Sequence, residues 1–521
     1  MIVNPYQEQI QRTLPRLLAM FDIDKTSDSY GMGDRYYWAW GLTDFGNATF
    51  QGAAHGLARL WRHGLWPYDT KPNDFIHRID ALFQGAARLT RRDGSLEEAF
   101  PNEGSYCVTS LVAFDLLSAI DLLEDQIDSS TKARWEKVVE PMIGYLLIAD
   151  ETHAIISNHL ATAVAALVRW YKLTGDLHAE QHARLLLDRI LKHQSEEGWF
   201  KEYEGADPGY QSLCTYYLAD VHSQRPDWSL LESLRRSVQF LWHFAHPDGS
   251  FGGLYGSRCT RFYYPAGVLA LRADIPEAAS LANFMAKSVA ARSVVCLETM
   301  DEPNLIPMFN AYCWAAAMEQ SNSADATEHQ LPAIQHETMR RYYEHAGLLI
   351  DRGKDHYTVI STHKGGVVYH FEKGTLATLD AGVVLSNKQG KLGSSQSYAS
   401  KNEVTLGENT LTVGAHIYPM PKRLPAPIQF LVLRMLCLTL FRSRGLREIV
   451  KQLLVRFLIT GAGPWAAKNK REVVLGPGLE INDMIDMPDG FAQVHHKGSP
   501  FVSIHMASQG YWQIQDEAEK V

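Results

Sequence analysis

Ser361-Thr-His-Lys-Gly-Gly-Val-Val-Tyr-His-Phe371, followed closely by Leu379-Asp-Ala-Gly-Val-Val384, is where the chain changes period. Before about residue 340, apolar residues recur at helical spacing. From here on, short alternating runs dominate. Helices followed by strands in one 521-residue chain require two domains with different layer rules, because a single core does not grow to that size.

Upstream of the switch, one turn recurs three times: Asp93-Gly94-Ser95-Leu96, Glu197-Gly198-Trp199-Phe200 and Asp248-Gly249-Ser250-Phe251. In the first two copies an acid follows nine residues after the glycine (Glu103, Asp207) and a tyrosine twelve after it (Tyr106, Tyr210). The third copy has Arg258 and Arg261 at those places. Each of the first two copies then enters an apolar run, Val108 to Leu123 and Leu213 to Val221. Repetition of this kind marks stacked supersecondary units. The other helical stretches are Pro5 to Phe21, Ala48 to Arg62, Phe75 to Leu89, Lys132 to Ile148, His159 to Leu173, Ala179 to His193, Leu230 to Phe244, Pro276 to Ala290 and Pro307 to Met318. Hairpins of this length suit an α/α toroid over residues 1–320, whose inner helices start at one rim and line a cleft. The competing arrangement is an irregular helical solenoid with no cleft.

A polar linker is expected at 321–340, and an antiparallel β-sandwich at 341–521. Its strands are Tyr357 to Ser361, Gly366 to Phe371, Leu376 to Leu379, Glu403 to Leu406, Thr410 to Ile417, Glu472 to Leu475, Phe491 to His495 and Phe501 to His505. The fold class is therefore α+β multidomain. Residues 422–471 break the β pattern, being apolar and basic at once, with Glu448 their only acid. This basic amphipathic helical insertion fits either an anionic membrane surface or a helical excursion packed on the toroid or on a second copy of the chain in a homo-oligomer.

The formal net charge of −9 argues against a nucleic-acid partner. The six cysteines are scattered without Cys-x-x-Cys and read as reduced thiols. The N-terminal residues lack a basic segment followed by an apolar core, so the expected location is cytoplasmic, or peripheral at the inner face of the membrane through 422–471. No phosphate loop, dinucleotide fingerprint, His-Glu-x-x-His or Gly-x-Ser-x-Gly occurs. His178 and His182 lie one helical turn apart with nothing nearby to complete a metal site. Neither metal nor cofactor is expected.

Four places can carry chemistry. Asn158-His159 opens an apolar helix, where the helix dipole favours an anion, although capping is the simpler role. Glu202 to Gln211, with Tyr216-Tyr217 beyond, gathers acids and phenols at the start of another helix: Asp207, Tyr210, Gln211 and Tyr217 are candidates, and Tyr216 and Tyr217 cannot both point inward. His363 precedes Gly365-Gly366 on the opening strands of the second domain. Asp34 to Asn47 sets Trp38 and Trp40 beside Asp44 and Asn47, a pattern that fits a sugar subsite and fits a helix-packing corner nearly as well. Glu103, Tyr106 and Arg258 join the candidates for substrate binding.

The stretch His363 to Gly382 resembles the start of the β-domain in heparinase II/III-like polysaccharide lyases. Asn158-His159 is similar to that family's Asn-His, and Asp207 to Tyr217 to its Asp-Gly…Tyr segment. The chain departs from the pattern at Tyr217, where a histidine is frequent, and at Lys364, where an acid is frequent. The resemblance implies β-elimination on a uronic-acid-containing acidic polysaccharide or oligosaccharide. Asn158 and His159 would hold the sugar carboxylate, Tyr210 or Tyr217 would act as acid or base, and His363 would reach in from the second domain. Two alternatives remain beside it. One is an inverting glycoside hydrolase using carboxylates such as Glu103 and Asp207. The other is a non-catalytic glycan-binding or membrane-associated protein of polysaccharide biosynthesis.

Overall fold

The structure is a computed structural model describing residues 4–151, 155–203, 205–321, 330–335, 337–420, 426–454 and 463–494. Six inner helices, Ala53–Arg62, Tyr106–Leu123, Ser157–Thr174, Pro208–Gln224, Pro265–Ala270 and Glu302–Ser321, pack each on the next, and the last closes on the first. Pro5–Leu18, Pro72–Leu89, Ser129–Ile148, Leu177–Lys192, Leu231–Leu241 and Pro276–Ala291 form the outer layer. The ring closes, so the solenoid alternative is excluded and the α/α toroid stands.

Sequence explains the two layers. Leu177–Lys192 buries Ala179, Ala183, Leu186, Leu187 and Ile190, one stripe of an outer helix with charge on its other face. Tyr106–Leu123 is buried nearly all round. It is long and apolar enough to cross a membrane, but 83% of it is buried inside the ring. Hairpin turns are tight where the chemistry permits: Gly175 ends one helix in the left-handed region (φ 76°), and Asp176 caps the next through the amides of His178 and Ala179. Pro265–Ala270 has no counterpart in the sequence reading, because six residues are too few to show a period.

The recurring glycine has a steric cause. Gly94 has φ +83°, and a Cβ there would stand 1.9 Å from the Pro141 carbonyl oxygen of an outer helix. Gly198 meets the Arg236 carbonyl in the same way, at 2.3 Å. Gly94→Ala is therefore expected to lower unfolding free energy by about 2–3 kcal/mol, read from denaturant melts.

The second domain begins with a meander of β1 (Met339–Tyr343), β2 (Leu348–Arg352), β3 (His356–Ser361), β4 (Val367–Glu372) and β5 (Thr375–Asp380). Its two faces are buried differently. Leu348, Ile350, Tyr357, Val359, Val367, Tyr369 and Phe371 join the toroid core. Leu349, Ile360 and Val368, at alternate positions, pack with Leu411, Val413 and Val473 of a second sheet. After β6 (Val384–Ser386) and β7 (Leu392–Ser394), that second sheet is built from β8 (Glu403–Leu406), β9 (Thr410–His416), β11 (Lys468–Val474) and β12 (Glu480–Asp486), in the order β12-β11-β9-β8. Between β9 and β11 comes β10 (Tyr418–Pro419), which forms a small third sheet with β7, β6 and β13 (Ala492–Gln493). The antiparallel sandwich is present, and one of its faces is also the roof of the toroid.

Three boundaries shift. The helix Glu302–Ser321 reaches into the expected linker and β1 starts before its end, while 322–329 lie outside the described residues. Lys468–Arg471 belong to β11, so the helical part of 422–471 is the pair Pro427–Leu438 and Arg444–Leu454. His363 sits in the turn between β3 and β4 rather than on a strand. The expected strand at Phe501 to His505 lies outside the described residues, as does His495.

Candidate active site

Inner helices start at one rim, and their start loops are strapped together. Ile156 bridges Glu202 in antiparallel fashion, Ser157 N–H and its hydroxyl both donate to the Lys201 carbonyl (3.0 and 2.7 Å), and Tyr203 N–H donates to Ile155 (3.1 Å). This strap carries Glu202 to the start of the Ser157–Thr174 helix. There Asn158 Nδ2 donates to both Glu202 oxygens, at 2.7 and 2.8 Å. Arg258 Nη1 donates to Oε1 of the same carboxylate at 2.9 Å. The Arg258 guanidinium lies 3.7 Å from the Tyr210 ring centroid and 5.2 Å from that of Tyr203. Asn158, Glu202, Tyr210 and Arg258 are all buried, and Tyr203 is half-buried. Tyr203 also has φ +58°, unusual for a bulky residue, at the edge of the cluster.

Burial pushes the Glu202 carboxyl above the usual carboxylate range, although Arg258, His159 and Asn158 oppose it. For Tyr203, burial raises the phenol and Arg258 pulls the other way, with a net rise.

His159 faces the same rim, with Nδ1 2.8 Å from Glu151 Oε2. Burial disfavours its charge, but Cys107 and Glu151 beside it outweigh that, and it titrates well above the ordinary histidine value. A raised histidine contributes its stability fully below the unfolded value of about 6.5 and loses it as pH rises through the folded value. The stability difference between the native chain and Glu151→Gln is therefore expected to be largest at mildly acidic pH and to shrink on the alkaline side, measured by urea melts across pH.

Glu98 lies on the neighbouring start loop. Burial, and then the Glu103 carboxylate, push it up to about 7, and Ser105 Oγ donates to it at 3.2 Å. Glu103 itself accepts the Glu98 and Ala99 amides, at 3.2 and 2.8 Å.

The β-domain closes this rim without reaching its centre. His363 Nδ1 is 3.0 Å from the Tyr398 hydroxyl, and Tyr398 packs on Gly205, where a Cβ would stand 2.4 Å from that hydroxyl. Lys364, fully buried, places Nζ 2.8 Å from Cys259 Sγ and 3.3 Å from the Gly256 carbonyl, on the loop that carries Arg258.

Several expected site residues have other work. Asp207 caps the Pro208–Gln224 helix through the Tyr210 amide (3.1 Å) and holds Thr260 and the Arg258 amide (3.0 Å). Gln211 is spent on Phe200, Gly198 and Ser237 inside the core. Tyr217 is 1% exposed and edge-on to Phe114 at 5.2 Å, a residue of the packed bore, and Tyr106 is buried as well. Trp38 donates to the Met20 carbonyl at 2.8 Å, Asn47 caps a short 3-10 helix, and Asp44 pairs with Arg434 at 3.0 Å. Trp40 is exposed. His363 is a wall residue behind Tyr398, and burial keeps it below the ordinary histidine value. Of the named candidates, the structure brings together Asn158, His159, Tyr210 and Arg258, with Glu103 on the adjoining loop. Glu202 and Tyr203 complete the group. Glu202 falls within the acid- and phenol-rich cluster of the sequence, but spacing alone does not rank it above its neighbours. Glu98, Glu151 and Tyr398 carried no signal.

The architecture is that of the polysaccharide lyases that join an α/α toroid to a β-domain. Chondroitin AC lyase of Streptomyces coelicolor A3, solved with chondroitin sulphate, is similar over 91% of this chain with 10% identity and a TM-score of 0.55. This chain spans 65% of that lyase. A mutant of the same lyase gives 11% identity, the same coverages and 0.50. Heparan sulfate lyase HepC of Pedobacter heparinus (12% identity, 91% of this chain and 68% of that one, 0.44) is too loose a likeness to argue from. No protein-family model matches the chain, and no curated protein matches it by sequence.

Proposed function

We propose that the chain cleaves a uronic-acid-containing glycan by β-elimination at the Asn158–Glu202–Arg258 cluster. The observation that supports this reading is a buried carboxylate held by an amide and a guanidinium, with two phenols on the guanidinium, at the helix-start rim of a lyase-type toroid. β-Elimination needs the sugar carboxylate neutralised, the C5 proton removed and the leaving oxygen protonated. The His159 imidazolium supplies positive charge at the rim, and Arg258 strengthens it. Glu202, made more basic by burial, takes the C5 proton. The C4–O bond then breaks as the C4=C5 double bond forms, and the Tyr203 phenol gives its proton to the departing oxygen. Tyr398 and Gly205 shut the second domain over this loop and limit water.

The test is incubation with a panel of uronate polysaccharides, followed by ultraviolet absorbance and reducing-end assay. Unsaturated, absorbing ends support the elimination. New reducing ends without absorbance would replace it with hydrolysis. That second reading draws on Glu98, a carboxyl pushed up to about 7 by burial and by the neighbouring Glu103, in a carboxyl pair of the kind glycosidases use.

A further inference from the structure

The helix pair Pro427–Leu438 and Arg444–Leu454 leaves the sandwich after β10 and crosses to the toroid rim. Its attachment is narrow. Arg447, fully buried, reaches the Asn102 carbonyl (3.4 Å) and Asp93 (3.5 Å) and lies on Gly104, where a Cβ would stand 2.8 Å from the guanidinium carbon. Asn102 Nδ2 donates to the Cys437 carbonyl (2.9 Å), Phe441 meets Phe100, and Arg434 pairs with Asp44.

The opposite side is apolar and in solvent. Ile428, Leu431, Val432, Met435 and Leu438 are each 51–64% exposed and fall on one stripe of the first helix. On the second helix Leu446 and Ile449 are exposed as well. The loop tied on by Arg434 and Asp44 adds Trp40 (66%) and Leu42 (70%). Soluble surfaces rarely leave an apolar helix stripe of this size uncovered.

Charge selects the occupant. Residues 422–456 hold eight Lys or Arg and one acid, in a chain of formal net charge −9. A two-fold pairing of this segment with its copy would set basic on basic. An anionic bilayer complements both features: the apolar stripe enters the acyl boundary, the basic residues other than Arg434 and Arg447, which are held by the toroid, draw the segment to lipid phosphates, and an exposed tryptophan suits the interface. The first helix, at 12 residues, is too short to span.

We propose that this hairpin, with the Trp40–Leu42 loop, seats the protein on an anionic membrane surface. Because the hairpin is bolted to the loop carrying Glu98 and Glu103, the rim of the site then lies at the bilayer, and membrane-proximal glycan becomes the accessible substrate. That last consequence rests on the proposed function; the membrane seat does not.

The test is co-sedimentation of the full chain with phosphatidylcholine vesicles, with and without phosphatidylglycerol. Binding is expected only with the anionic lipid, weakening at least about tenfold in high salt. Leu431→Glu with Met435→Glu should lower it by about tenfold or more with an unchanged melting temperature. Unchanged binding by that variant overturns the proposal, as does no binding to anionic vesicles. A concentration-dependent dimer in light scattering, broken by the same variant without any vesicle binding, would assign the face to a second copy instead. Loss of lyase activity with binding intact would count against the reaction and leave the membrane seat standing.

Discussion

Replacing Arg258 with methionine is expected to give an inactive and markedly less stable protein. Arg258 is buried, donates to Glu202 and lies on the faces of Tyr210 and Tyr203. Removing one partner of a buried ion pair leaves the other charge in a poorly solvating interior and costs about 3–5 kcal/mol. The cost should be non-additive: Arg258→Met combined with Glu202→Gln removes the stranded charge, and the double variant should be more stable than Arg258→Met alone. Denaturant melts of the three variants check this. The double variant should remain inactive, since its donor and its base are both gone. Arg258→Lys keeps the charge but not the planar fork, and should recover stability better than activity.

The second large effect belongs to Glu202. Glu202→Gln keeps the shape and one acceptor oxygen for Asn158 and Arg258, while the second Asn158 bond is lost, and an amide cannot accept a proton. Turnover should fall by about 10²–10⁴-fold. Stability should fall less, by about 1–3 kcal/mol, because Arg258 loses its counter-charge but keeps an acceptor. The pH profile gives a readout that a structural role would not move. Burial raises the Glu202 carboxyl, so the base is ionised only above a value higher than an ordinary glutamate's. The rate should therefore rise with pH through that raised value and level off above it, and this limb should vanish in Glu202→Gln. A limb that persists in the variant would move the base elsewhere on the rim.

How far the residues alone could be read differs between fold and site. Asn158 and His159 were legible because they open an apolar helix, and Tyr210 and Arg258 because each follows a copy of the recurring turn. Asp207 and Gln211 obeyed the same pattern and turned out to hold the loop itself. Capping and catalysis draw on the same residue types at helix starts, so spacing cannot separate them. Tyr217 shows the same limit from the other side: a tyrosine on an inner helix faces either the rim or the bore, and only the position of Phe114 settles which. At Trp38 and Asp44 the sequence left a sugar subsite and a packing corner side by side, because an aromatic near an acid looks alike in both; in the structure Trp38 donates to Met20 and Asp44 pairs with Arg434.

What the order of residues established is the succession of a helical ring and a stranded sandwich, the rim on which polar residues gather, and the excess of basic and apolar residues at 422–471. These follow from period and composition, which are local. Packing alone showed that Glu202 is the shared partner of Asn158 and Arg258, that Lys364 and Tyr398 brace the loops around it, and that Arg447 fastens a hairpin whose apolar side stays outside. Those are contacts between segments tens to hundreds of residues apart, formed where the start loops strap together at the rim and where the second domain and its hairpin pack on them, and no local pattern encodes them.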